Sequence, residues 1–199
     1  GSERSVISQI VDGTTITVDY GRPHARDRGA VWGNLVDWDH LWTPGANWAT
    51  TFEFSKEVEL NGTAVPAGKY SVWMIANPEE FEIVLNPNEE IFHFRRPGRR
   101  ETQISFTAKA VTAPFLEALT FSFPVVRSEG TDILFQWGAL QVPIEVEVLP
   151  TQATTIVAEL AAPYPGTYDV EGLWTPEQEA AAPEAERWPK HSVMEIRYE

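Results

Sequence analysis

The 199-residue sequence contains no cysteine. Disulfides, thiolate nucleophiles and cysteine-ligated zinc or iron sites are therefore excluded, while the redox compartment stays open. No apolar run approaches the ~18–20 residues that a membrane-spanning helix requires, and the first residues lack a charged-then-apolar export pattern, so the chain is expected to be soluble by itself. Positive charge is scarce. Lys and Arg number 15 against 29 Asp and Glu, a formal net charge of −14, and such a field repels phosphate backbones, which argues against a nucleic-acid partner. There is no Gly-x-Ser-x-Gly elbow and no His-x-x-x-His pair, the spacings that would set a nucleophile on a sharp turn or two metal ligands on one helix face. Long segments with helical periodicity are missing too, so helix is expected to be minor.

What remains is strand. With 43% hydrophobic residues the chain can bury a sizeable core, and β-branched or alternating runs recur at 14–19, 50–54, 70–75, 81–85, 103–108, 119–123, 133–137 and 144–148. Turn signals punctuate them: Asp12-Gly13, Asn61-Gly62, Pro87-Asn88, Pro97-Gly98 and Glu129-Gly130. In 50–54, Thr50, Phe52 and Phe54 share one face and Thr51 and Glu53 the other, as in a strand with one wet side. The expectation is an all-β antiparallel sandwich or flattened barrel over residues 1–149. Residues 113–119 read as a single helical turn or, because of Pro114, a loop, and 27–48 as a long structured loop laid over the sheet. Long ordered loops often carry function.

Beyond Pro150 the character changes, and residues 150–199 are expected to form a β-rich extension packed on or beside the sandwich. Strands are expected at 154–160, 167–173 and 193–198, with a Glu-, Ala- and Pro-rich loop at 175–190.

Candidate chemistry is sparse. His24, Asp37, Asp39 and His40 are the ligand types that zinc, manganese or iron take, but no spacing aligns them, and a solvated acidic loop is the preferred reading. Glu53, Glu80, Glu82 and Asp132 could supply the two carboxylates of a hydrolase; in so acidic a chain, choosing a pair is arbitrary. Four tryptophans crowd 32–48, a residue type favoured at interfaces and sugar-stacking platforms. Trp32 and Trp42 are assigned to the core, Trp38 and Trp48 to an exposed surface. Arg22 could bind an anion, tie down loop carbonyls or pair with Asp37, and Asn47 can hydrogen-bond the surrounding backbone of the turn. Arg95, Arg96, Arg99 and Arg100 surround Pro97-Gly98, the strongest basic patch in the sequence, suited to an acidic protein or lipid headgroups.

The run Tyr20-Gly21-Arg22-Pro23, then Trp42-Thr43-Pro44-Gly45-Ala46-Asn47, Ser55-Lys56-Glu57-Val58 and Pro66-Ala67-Gly68-Lys69-Tyr70-Ser71 resembles the bacterial family of domain of unknown function 2911. Glu82 to Asn86, Glu117 to Phe123, Leu134 to Gly138 and Val142-Pro143-Ile144 extend the likeness, which covers about residues 6–148. Two departures stand out: Thr43 occupies a position where the family usually carries arginine, and Asp37-Trp38-Asp39-His40 replaces its usual Pro-Tyr-Gly. The resemblance implies export to the periplasm or cell surface and brings no established activity. Together these features lead us to expect a non-catalytic interaction or accessory subunit without cofactor or metal, seated on the outer face of a bacterial membrane complex such as a respiratory or photosynthetic one. The alternatives are a carbohydrate- or small-molecule-binding module and a carboxylate- or metal-dependent hydrolase. Trp38, Trp48, Arg22, Asn47 and the four arginines at 95–100 are the residues expected to meet the partner or ligand.

Overall fold

Alternation at period two builds the architecture. In β2 (Thr14–Arg22), Ile16, Val18 and Tyr20 are fully buried while Thr15, Thr17 and Asp19 face the other way. A computed structural model describes residues 2–150, 166–170 and 192–196. The chain divides into two compact units, Gly1–Thr151 and Gln152–Glu199.

The first unit is two antiparallel sheets packed as a sandwich, not closed into a barrel, and among the described residues there is no helix. One sheet runs β1 (Glu3–Val11), β2, β4 (Thr51–Phe54), β7 (Gly68–Ala76), β8 (Glu80–Asn86) and β9 (Ile104–Lys109); the short β3 (Leu41–Trp42) pairs with β7 beyond the end of β4. The second runs β10 (Val111–Ser122), β12 (Gly130–Val148), β5 (Val58–Leu60) and β6 (Thr63–Val65), with β11 (Val126–Arg127) paired to β12. Asp12-Gly13 and Asn61-Gly62 are two-residue hairpin turns with positive φ at both positions, 43° and 69°, 47° and 77°, the backbone shape that matches strand twist.

Phe52, Phe54, Phe81, Ile83 and Leu85 from the first sheet meet Phe121, Ile133, Phe135 and Ile144 from the second, each essentially inaccessible to water. Burial of each such side chain contributes about 1.5–3 kcal/mol. Tyr20 packs edge-on against Phe121 at 4.9 Å and donates its hydroxyl to Phe121 O, stitching the layers.

Three expectations are corrected. Residues 113–119 are neither helical nor loop but part of β10, where two register shifts against β12 leave surplus residues around Leu116. Pro114 is tolerated there because β10 is at the end of its sheet and irregular. The predicted strands at 133–137 and 144–148 are halves of one, β12, carried through Gly138 at φ 58°, where a Cβ would approach Val31 Cγ2 to 3.0 Å. Finally, the outer face of the first sheet is not simply wet. Thr51, Ser71, Trp73 and Val84 are buried there, under residues 41–49 and the connection 87–103. Ala49, Trp73, Val84 and Ile91 form a second apolar cluster with Leu41 packed against it, and the Ser71 hydroxyl accepts from Trp73 Nε1 (3.1 Å) while donating to Asn88 O (2.6 Å).

In the second unit, β13 (Gly166–Val170) pairs antiparallel with β14 (Ser192–Ile196). The expected strand at 154–160 and loop at 175–190 lie outside the described residues.

Candidate interaction surface

The tryptophan-rich loop turns mostly inward. Trp32 donates Nε1–H to Trp137 O (3.0 Å), and its ring meets Trp42, Phe81, Phe135 and Trp137 edge-on at 5.1–6.4 Å. Trp38 stacks on Trp32 at 6.0 Å with 25° between planes, half-buried against the main core. Trp38 therefore belongs with the packing tryptophans rather than on an exposed surface as expected. The positive φ of Gly138 lets the long strand turn past Val31 and Trp32, so the loop docks at the point where β12 is irregular.

Arg22 is also committed internally. Its Nε donates to Leu119 O (3.3 Å) and its Nη2 to the Thr120 hydroxyl (3.0 Å), tying β2 to β10, with the Ala25 N–H donating to Glu117 O alongside (3.0 Å). The Gly45-Ala46-Asn47 turn presses on β2 so closely that a Cβ on Gly21 would meet Ala46 O at 2.6 Å. Thr43, where an arginine was implied, is buried and fixes that turn: its hydroxyl donates to Val72 O and accepts from Thr50 N, both at 3.0 Å. Asn47, at φ 67°, offers its carbonyl to both the backbone N–H and Nδ1–H of His93 (2.9 and 2.8 Å). The acceptor being a carbonyl, the His93 proton sits on Nδ1.

That bond joins the turn to residues 91–94, and here apolar surface faces outward. Trp48 bridges Phe92 in antiparallel register, with rings perpendicular at 5.4 Å; Phe92, His93 and Phe94 then follow with centroids 3.9–5.8 Å apart. Trp48 is 54% exposed and Phe94 80%. Arg95 and Arg96 follow directly, both exposed, and neither guanidinium has an ion-pair partner among the described residues. They line an open cleft of about 560 Å³ with Trp42, Thr43, His93 and Phe94. On the other side of Trp48 a cleft of about 360 Å³ is lined by Arg4, Asp19, Lys69 and Glu90, where Arg4 is held by Asp19 at 2.7 Å and donates to Trp48 O and Ala49 O.

Arg99 and Arg100 lie apart from that platform. Arg99 pairs with Glu82 at 2.8 Å on the surface, and Arg99 and Arg100 line a smaller cleft of about 190 Å³ with Leu41, Pro97 and Gln103. Gln103 shapes the loop by accepting from Arg100 N and donating to Gly98 O. The four arginines, expected on one hairpin tip, thus divide into two pairs on an irregular 17-residue connection between β8 and β9.

The candidate carboxylates do not converge. Glu82 is engaged by Arg99, while Asp132 is on the other sheet and engaged by Arg127 at 2.9 Å. The hydrogen bond to Asp132 raises the Arg127 pKa above its ordinary value, with Glu145 adding to it. His24 is in an isolated bridge with Ala118, and His40 donates Nδ1–H to Trp38 O. Among the described residues no three His, Asp or Glu side chains gather as a metal-binding group.

A family model described as protein of unknown function (DUF2911) matches residues 2–146. The chain belongs to this family. No curated protein and no solved structure matches it. The DUF2911 match spans both sheets up to Val146 in β12, so the inward tryptophans, the Arg22 tie and the aromatic platform all fall inside the family domain. Sequence reasoning singled out Trp48, Arg95 and Arg96 but passed over Phe92, His93 and Phe94. The signal was present in Phe92-His93-Phe94-Arg95-Arg96, three consecutive rings before two cations in a segment without strand alternation.

Proposed function

We propose that this DUF2911 chain is a non-catalytic accessory subunit working outside the cytoplasm, on the periplasmic face of a bacterial membrane complex, and that it binds an acidic segment of a protein partner through Trp48, Phe92, Phe94, Arg95 and Arg96. One observation carries the reading: exposed rings stand beside two guanidinium groups that have no ion-pair partner among the described residues, in a chain of net charge −14. Exposed aromatic and arginine side chains are the types that dominate interface energetics, and a cation pair left without an internal carboxylate favours acidic partners and excludes basic ones. Extracytoplasmic placement rests on the family resemblance.

Replacing Phe94 with a photo-crosslinking phenylalanine in native cells tests this directly. A cross-link to one extracytoplasmic segment of a membrane-complex subunit, with acidic residues at the linked site, is the expected result; absence of any specific cross-link while the same probe at Glu101 captures partners would refute the surface.

A second reading, a small-molecule module, draws on Trp42. It lines the 560 Å³ cleft, and its buried Nε1–H has no acceptor among the described residues, at a cost of about 1–3 kcal/mol that a ligand oxygen would offset once the ring turned toward the cleft. A screen of anionic metabolites and glycans by tryptophan fluorescence checks it, and a flat response across the screen removes it.

A further inference from the structure

Among the described residues, the first sheet ends on an edge strand that is paired on one side only. β1 pairs with β2 alone in the sheet order, over nine residues. From Ser5 to Val11 it contains no charge, proline or glycine, although natural edges are usually blunted by such residues. Two large apolar side chains on its outer face, Val6 and Ile10, are 62% and 63% exposed.

The free hydrogen-bonding groups can be assigned. Thr15, which faces Ile10 in the hairpin, directs its backbone away from β1: its N–H donates to the Ser55 hydroxyl (2.8 Å) and its carbonyl accepts from Ser55 N (3.0 Å). Ile10 accordingly turns its own N–H and C=O to the open side, where its carbonyl takes a bond from the neighbouring Gln9 side chain at 2.9 Å. By strand alternation the same orientation holds for Ser8 and Val6.

We propose that β1 is a homotypic interface: two copies of this chain pair their β1 strands antiparallel across a two-fold axis at Ser8, joining the two sheets into one. The sequence is self-complementary in this register. Val6 faces the second copy's Ile10, Ser8 faces Ser8, and Ile10 faces Val6, so each outward-directed residue becomes a hydrogen-bonded pair that exchanges both backbone bonds. The exposed apolar side chains then cover one another as cross-strand pairs. A two-fold operator requires such self-matching; shifting by two residues toward either end sets Val6 or Ile10 opposite a serine or a charged or turn residue instead. This interface involves none of the residues of the proposed partner surface.

Sedimentation equilibrium of the full chain, with register-specific cross-linking, tests the assignment. The wild type is expected to show a concentration-dependent dimer. Because the chain has no cysteine, Val6→Cys and Ile10→Cys proteins should form disulfides rapidly when mixed and at least tenfold more slowly when either is oxidised alone. Ser8→Lys places like charges opposite each other at the axis while keeping the β1–β2 backbone ladder; it should weaken the dimer in low salt, with partial recovery in high salt, and leave the melting temperature within a few degrees at concentrations where the wild type is monomeric. A wild type that stays monomeric at every reachable concentration overturns the proposal. So does a dimer indifferent to Ser8→Lys, a cysteine mixture that links no faster than the separate proteins, or cross-linking of position 6 to another protein alone.

Discussion

Two aromatic groups separated by a few residues of chain behave oppositely. Trp32, Trp38 and Trp42 turn into the sandwich and pack on one another and on Phe81, Phe135 and Trp137, whereas Trp48 and Phe94, each in ring contact with the half-buried Phe92, stay exposed. The arginines divide in the same way. Arg22 and Arg127 hold strands together through carbonyl, hydroxyl or carboxylate oxygens, while Arg95 and Arg96 carry charge without an ion-pair partner among the described residues. Side chains of one type thus serve folding in the first group and are left over from folding in the second. What folding leaves over, in a chain that otherwise repels anions, is where recognition has room to act.

The contrast can be broken most severely from the inside. Trp32→Ala removes the ring at the centre of the inward group together with its bond to Trp137 O, and a loss of about 3–5 kcal/mol is expected in urea unfolding. Arg22→Met keeps the aliphatic stem but drops both ties to β10; about 1.5–3 kcal/mol should be lost. Gly138→Ala forces an L-residue into positive φ beside Val31, and about 1–2 kcal/mol is expected by the same measurement. The outward group should be nearly silent in unfolding. Arg95→Glu with Arg96→Glu should shift stability by less than about 0.5 kcal/mol, yet abolish the salt-sensitive part of partner binding in a titration across ionic strength.

Legibility followed the same division. Strands with an alternating sequence, such as β2, β4 and the start of β8, announced themselves, and the Asp12-Gly13 and Asn61-Gly62 turns were readable from chemistry. β1 was missed because Val6, Ile7, Ile10 and Val11 put apolar residues on both faces, which blurs the period of two. The N-terminal half of β10 was misread because Pro114 and two bulges hide a strand that tolerates both at an edge. At the surface, residue type located Trp48 and the arginines, but could not tell Trp38 from Trp48. That distinction depends on Gly138, a hundred residues away, and on Asn47 holding His93.

The most direct test compares the wild type with Trp48→Ala/Arg95→Glu/Arg96→Glu in mild-detergent purification from native membranes, after confirming that both melt alike. The account predicts that the wild type is recovered at fixed stoichiometry with subunits of one membrane complex and that the triple variant is recovered alone. Equal recovery of the complex with both proteins would contradict it.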